Sequence, residues 1–421
     1  MEIEKGFSGD DAAGSRNHVH NKSMDRDTRF RRWWMIASLI LLVNVSCGND
    51  PGVAISSTQP SSRQPTALPE VVSKAEVRPE TTGAPPALPG DAGTSSPNPE
   101  NGSSTDPRDA GVPRLKPGQK LTWKEVLGLD GHHSTSFGSV SAGDARLEGG
   151  IRFPNRGPGF VLGKTRPNRG GRYTTVEVAQ AMIRAARRVH RKYPPGKLRI
   201  HDFSLREGGK IPHHGSHRNG RDVDVMFYLL DKEAEPVLGK GIVIDPEGKG
   251  TDFGDLGYPG DDLDYTLDVE RTWELLEALV RDKRAHLQRI FVVEHVRTLL
   301  MAYAEKNRRP KKYRRLIGHL TCQPFTPHDD HIHLRFFCSP EDVEQGCTEM
   351  HPIYPWQKSF LEGHQIEPVL SIPKRYTKKK GKKKGYQMPP LPENAHLRVQ
   401  ELWKRRARWA QKPRAGRSYC P

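Results

Sequence analysis

Apolar residues are scarce in this 421-residue chain, at 34 per cent, where a globular protein carries about 45–50 per cent with glycine counted. A single packed globule of that length is excluded, and part of the chain is expected to stay unfolded. Long apolar runs are nearly absent. The one that exists, Trp33–Val45, excludes a polytopic membrane protein. The glycines lack a triplet period, which excludes collagen, and no internal repeat is visible. Cysteine is limited to five residues with no Cys-x-x-Cys pair, so a thiolate zinc knuckle is disfavoured. Aromatics are missing from Gly48 to Thr122. At about 100–200 residues per domain, one folded domain plus tails fits the length.

The one apolar run has the build of an export signal. Arg29, Arg31 and Arg32 precede it, and Ser46-Cys47-Gly48 follow it. A basic head, a short apolar stretch and a small residue before the break describe a secretory signal. The polar stretch ahead of Arg29 is long for such a head, and translation from Met24 rather than Met1 would make it ordinary. Val43-Asn44-Val45-Ser46-Cys47 resembles a bacterial lipobox, in which Cys47 would carry lipid and anchor the chain to a membrane. Asn44 departs from the usual leucine. Cleavage by an ordinary signal peptidase and an uncleaved anchor are the alternatives. If Cys47 is lipidated, Gly48 after it points to the outer membrane.

Four regions follow. Residues 1–47 form the extension and signal, and 48–122 a tether. A folded domain is expected over 123–347 and a basic tail over 348–421. The tether holds 13 prolines between Pro51 and Pro117 and cannot bury enough apolar surface to offset chain entropy. Within the domain, Thr174–Lys192 spaces Val178, Met182, Ala185, Ala186 and Val189 as a helix. Val269–Val280, capped by Asp268, and Val296–Tyr303 are further helices. Lys197–Phe203, Asp222–Tyr228, Arg289–Val293 and His331–Phe337 are strand-like. Strands and helices mix without a βαβ repeat. The expected class is therefore α+β, a small, mostly antiparallel sheet flanked by helices.

The net charge is +17, and 14 of those charges lie between Ser371 and Pro421. The run Lys378–Lys384 reads as a solvated segment suited to anionic polymer or lipid. Leu397–Ala410 has the pattern of a basic amphipathic helix. Apart from Cys47, the cysteines are Cys322, Cys338, Cys347 and Cys420, an even set in an exported chain, which favours disulfides. Cys338 with Cys347 is the preferred pair of the three pairings four cysteines allow.

Two histidine clusters carry the chemistry. The first runs His213-His214-Gly215-Ser216-His217-Arg218-Asn219-Gly220-Arg221-Asp222-Val223-Asp224, the second His328-Asp329-Asp330-His331-Ile332-His333-Leu334-Arg335. Asn219-Gly220 marks a turn that can bring His217 back over the next strand. On that strand Asp222 and Asp224 share one face and Val223 and Val225 the other. In the second cluster His331, His333 and Arg335 share a face. A carboxylate beside buried valines needs a partner, and a metal would supply one. His217, Asp224 and His333 would make a His₂Asp set of three protein ligands with a fourth position open, as zinc uses in catalysis. A solvated strand face that carries His-x-His, with Asp222 or Asp224 bonded to a turn, is the plainer alternative.

Ser216-His217-x-x-Gly220-x-Asp222-Val223-Asp224, followed about 100 residues later by His331-x-His333, resembles the penicillin-insensitive murein endopeptidases. These belong with zinc peptidases that include D-Ala-D-Ala dipeptidases and share a hedgehog-like fold. The resemblance covers roughly Ser139–Cys347. It implies that His217, Asp224 and His333 bind zinc and that His331 is the catalytic histidine. It implies also that His214 and His328 shape the site or hold a further metal. Gly208-Gly209-x-x-Pro212 is similar to the family's glycine-rich approach. Arg221 and Arg335 are the candidates for holding substrate carboxylates.

The function implied is hydrolysis of the D-Ala–diaminopimelate amide in peptidoglycan cross-links, in the periplasm. A carboxypeptidase or dipeptidase of the same group is a second reading, and a non-catalytic wall-binding lipoprotein a third. Nucleic acid suits the basic tail but not an export signal.

Overall fold

The computed structural model describes residues 115–116, 119–130, 132–163, 171–212, 214–350, 352–371, 386–411 and 420. The export signal with Met24 and Cys47, nearly all of the tether, His213 and Lys378–Lys384 lie outside the described residues. What is described is an α+β unit with helices and several small, mostly antiparallel sheets. No helix among the described residues is long and apolar enough to cross a membrane.

The helices expected over Thr174–Lys192, Val269–Val280 and Val296–Tyr303 form where the periodicity places them, and Lys311–Leu320 is a helix beyond those expected. Val176–Lys192 starts at Thr175, whose hydroxyl accepts from the Val178 N–H. It buries Val178, Met182, Ala185, Ala186 and Val189, and each large apolar side chain removed from water contributes about 1.5–3 kcal/mol. Val269–Arg281 starts at Asp268, whose carboxylate accepts from the Arg271 N–H at 2.9 Å. Such a cap is worth about 1 kcal/mol. Trp273 on this helix is fully buried, and its indole N–H donates to Glu277 at 2.7 Å. Glu294–Lys306 and Lys311–Leu320 complete a helical layer packed on Val269–Arg281.

The main sheet has seven strands, in the order Thr321–Cys322, Leu287–Phe291, Ile332–Phe336, Asp222–Val225, Leu198–Ile200, Phe160–Leu162 and Arg156–Gly157. The pairs at its centre are antiparallel, whereas Leu287–Phe291 with Thr321–Cys322, and Phe160–Leu162 with Leu198–Ile200, run parallel. Every residue of Asp222–Val225 and Ile332–Phe336 is buried. That burial on both faces differs from a half-solvated strand, and it places Asp222, Asp224 and His333 in the interior. A four-stranded sheet built on the hairpin of Lys249–Asp252 and Leu263–Leu267 lies in the same unit.

Residues after Cys347 return into the unit. The Cys338–Cys347 disulfide is present, and beyond it Glu349 is fully buried and its N–H donates to the Val369 carbonyl at 2.7 Å. Leu397–Trp409 is a helix, and Cys420 is disulfide-bonded to Cys322. Three arginines counted within the expected basic tail pair with carboxylates of the folded unit, Arg406 in its interior and Arg398 and Arg405 at its surface. Arg398 pairs with Asp262 and Asp264, Arg405 with Asp245 and Glu247, and Arg406 with Asp329.

Candidate metal centre

The first cluster is shaped by a backbone that only certain residues can follow. Gly208 has φ +77°, and a Cβ there would collide with the Arg218 carbonyl oxygen and sit 2.7 Å from Arg146 Cα. The neighbouring Gly209 N–H donates to that same Arg218 carbonyl at 2.8 Å. The glycine pair thus lets two chain segments touch just after His217. His217 itself adopts φ +66°. Ser204 stitches the loop: its hydroxyl donates to the His217 carbonyl at 2.7 Å and accepts from the Gly220 N–H at 2.6 Å.

Strand register then joins the two clusters. His333 is paired with Asp224 and Arg335 with Asp222 across adjacent antiparallel strands. Directly opposite residues on one sheet face bring their side chains within a few ångströms. The result is a tight group of donor atoms. His217 Nε2 is 3.3 Å from His333 Nδ1 and 3.3 Å from Asp224 Oδ1, and His333 Nδ1 is 3.2 Å from Asp224 Oδ1. His331 Nε2 lies 3.6 Å from the same Asp224 oxygen, and His214 Nδ1 3.7 Å from the other. The ring of His328 stacks obliquely against His331, centroid to centroid 4.8 Å, and edge-on toward His333 at 5.5 Å.

The donor set fits a cation. Asp224 Oδ1 is buried and accepts no hydrogen bond although two imidazole nitrogens crowd it. Buried carboxylate oxygens are ordinarily bonded. Two overlapping sets, His214 with His217 and Asp224, and His217 with Asp222 and His333, each place their ligand atoms within 4.8 Å of one another, which is close enough to hold a metal ion.

Around these atoms sits a ring of supports. Arg335 grips Asp222 with two hydrogen bonds, 2.8 and 2.9 Å. Asp222 Oδ2 in turn lies 3.2 Å from His333 Nε2 and accepts from the His217 N–H at 3.3 Å. Asp202 Oδ2 lies 3.2 Å from His214 Nε2 and 3.3 Å from His201 Nδ1. Asp330 Oδ1 is 2.6 Å from His331 Nδ1. A carboxylate on the far nitrogen of an imidazole sets its tautomer and turns the other nitrogen toward the centre.

The charges follow from this packing. Burial opposes ionisation of Asp224, but His217 and His331 beside it hold its pKa well below the usual range. Burial likewise opposes ionisation of Asp222, and Arg335 and His333 keep it ionised. For His331, burial pulls downward, yet Asp330 and then Asp224 raise its pKa to about 9. His328 is pushed down to about 3 by burial and by the neighbouring His331 and His333.

The structure therefore brings His214, His217, Asp224, His331 and His333 to one point, with His328 alongside. It does not leave Arg221 or Arg335 for substrate. Arg221 is 2 % exposed and spent on Glu349 and on the Phe336 and Thr348 carbonyls, and Arg335 is committed to Asp222. Both are internal struts, because a buried guanidinium must be matched within the protein. Missed from the sequence are the supports Asp202, Ser204 and Asp330. Asp202 and Ser204 sit in His201-Asp202-Phe203-Ser204, just after a strand end, which was the available signal.

No curated protein matches this sequence. The family model of penicillin-insensitive murein endopeptidases, however, matches residues 136–394, a span that runs past Cys347. The buried His/Asp centre lies wholly within that span, and the chain belongs to the penicillin-insensitive murein endopeptidase family.

Proposed function

We propose that this chain is a zinc metallo-endopeptidase that hydrolyses the D-Ala–diaminopimelate amide of peptidoglycan cross-links. The observation that supports it most directly is the triangle of His217 Nε2, Asp224 Oδ1 and His333 Nδ1, with edges of 3.2 to 3.3 Å. A tetrahedral ion with bonds of about 2.0–2.1 Å needs donor–donor edges of about 3.3–3.4 Å. Two imidazoles and one carboxylate are a catalytic zinc set with a fourth position left open. The α+β arrangement agrees with a hedgehog-like zinc peptidase fold.

A zinc ion held there would supply polarisation of the scissile carbonyl and activation of water near neutral pH. The protein's own part is positioning and proton handling. Asp330 can only accept, so His331 Nδ1 donates to it and Nε2 faces the centre. A neutral His331 takes a proton from the attacking water and passes it to the leaving amine. A protonated one donates to the developing oxyanion. The carboxylates beside it favour the protonated form, and a cation next to Asp224 pushes the other way. His214 and His328 line the same centre. No acyl-enzyme is required, in keeping with insensitivity to β-lactams.

The substrate lies outside the cytoplasm. Export with a lipid anchor on Cys47, and contact of the Lys378–Lys384 run with anionic polymer or lipid, belong to the same proposal. The two disulfides agree with an oxidising compartment.

The test is hydrolysis of cross-linked muropeptides by wild type and His333→Ala, with zinc content measured on both. Loss of turnover together with zinc supports the assignment, and equal turnover removes His333 from the ligand set. Release of only terminal D-alanine from uncross-linked peptides would make the protein a carboxypeptidase. Bound zinc with no turnover would leave a wall-binding protein.

A further inference from the structure

The helix Leu397–Trp409 begins after the family match ends at residue 394, yet it reaches the loop that carries His331. Arg406 donates to Asp329 through Nε at 2.8 Å and through a terminal nitrogen at 2.7 Å. The Trp409 indole N–H adds a third bond to Asp329 at 3.0 Å. Asp329 is fully buried and Arg406 is 8 % exposed. A buried carboxylate so bonded holds its backbone in one place. That backbone lies between His328 and Asp330-His331. The loop is pinned at two further points: the Val293 N–H donates to the His328 carbonyl at 3.1 Å and the Ile244 N–H to the Asp329 carbonyl at 2.7 Å.

A second contact comes from the same segment. Cys420 is joined to Cys322, and the pair is buried against Phe291. The Phe291 ring meets the His333 ring edge to face, at 84° and 5.1 Å between centroids. The C-terminal segment therefore backs both His331 and His333, once through a carboxylate and once through an aromatic ring. Two other arginines of the helix, Arg398 and Arg405, are nearly half exposed, and surface ion pairs of that kind add little.

We infer that Arg406 is a positioning residue of the active site. By fixing Asp329 it sets the loop His328–His331 so that His331 Nε2 faces Asp224, and the helix Leu397–Trp409 is a built-in part of the catalytic centre lying outside the span the family defines. The inference deepens the reading of the site as a hydrolase and rests on it.

The test compares Arg406→Ala, Arg406→Lys, Trp409→Phe and, as a control on the same helix, Arg405→Ala, all in the full chain. Two readouts are taken: turnover of cross-linked muropeptides, and amide hydrogen exchange of peptides covering 323–331 against those covering 222–225. Removing a support behind an active group typically costs about 10–100-fold. Arg406→Ala is expected to keep bound zinc, to lose about 10–100-fold in kcat with KM little changed, and to exchange about 10-fold faster in 323–331 only. Lysine keeps the charge but not the two-pronged grip, so Arg406→Lys recovers part of the loss. Arg405→Ala behaves as wild type. Unchanged loop exchange in Arg406→Ala, or an equal effect in Arg405→Ala, overturns the inference. Should Arg406→Ala fail to fold, Trp409→Phe and Arg406→Lys decide: faster loop exchange supports the inference and wild-type exchange overturns it. If wild type proves inactive, the hydrolase reading fails while loop exchange still decides whether Arg406 holds the loop.

Discussion

His333 and Asp224 face each other across two adjacent strands, and the nitrogen of one stands 3.2 Å from the oxygen of the other. Neither atom is placed by its own loop. Their separation is a property of strand register, and His217, arriving from a turn, closes the triangle from above the sheet. A one-residue slip of either strand would send one partner to the opposite face.

Metal removal is the first test of that triangle. Chelation is expected to abolish muropeptide hydrolysis, and added zinc to restore it. It should also lower the unfolding temperature, since a ligand at about 100 times its Kd stabilises by about 2.7 kcal/mol. Calorimetry with and without chelator measures it, and an unchanged transition would argue against a bound ion.

Asp222 lies behind the triangle. Asp222→Asn leaves Arg335 buried without its anionic partner, a loss of about 3–5 kcal/mol. It also removes the carboxylate that faces His333 Nε2, so zinc affinity should fall about 10–100-fold. Urea unfolding and zinc competition titrations read the two effects separately.

Arg221 supports the fold rather than the substrate. Arg221→Met leaves Glu349 buried, with the Cys338 and Gln288 N–H donors but without its cation. Stability should drop by about 3–5 kcal/mol, with KM for muropeptides unchanged in the folded fraction. A raised KM at unchanged stability would restore Arg221 as a substrate contact.

Asp342 is expected to give the fold a pH dependence. Burial, with Glu177 nearby, pushes its pKa up to about 8, against about 3.9 in an unfolded chain. Between those values the folded state holds a proton that the unfolded state has released. Stability therefore falls as pH rises from about 4 to about 8, and the loss is complete above that. Asp342→Asn can still accept from the Ser136 N–H, which reaches Asp342 Oδ1 at 3.1 Å. It should flatten the profile and add roughly 2–4 kcal/mol at pH 8. Unfolding temperatures of both proteins across pH 4 to 9 test this, and parallel curves would contradict it.

By itself the sequence determined the main elements and which residue types could form one site. Alternation around Asp222–Asp224 and His331–His333, the Asn219-Gly220 turn and the helical spacing of Val178, Met182 and Val189 are local patterns, set by φ/ψ and side-chain direction over a few residues. They were enough to name the α+β class and to bring His217, Asp224 and His333 together as one candidate set, while His214 entered only through the family resemblance and the Cys338–Cys347 pair only as the preferred one of three pairings. Only the tertiary structure decided which charges face each other. Arg221 and Arg335 look like free cations in the sequence and prove to be buried struts, and Arg406 looks like one more charge in a basic tail and proves to hold Asp329. Their partners lie 128, 113 and 77 residues away. Pairing over such distances depends on how sheet and helices pack, because burial makes each charge find its counter-ion within the folded chain, and no local pattern carries that information.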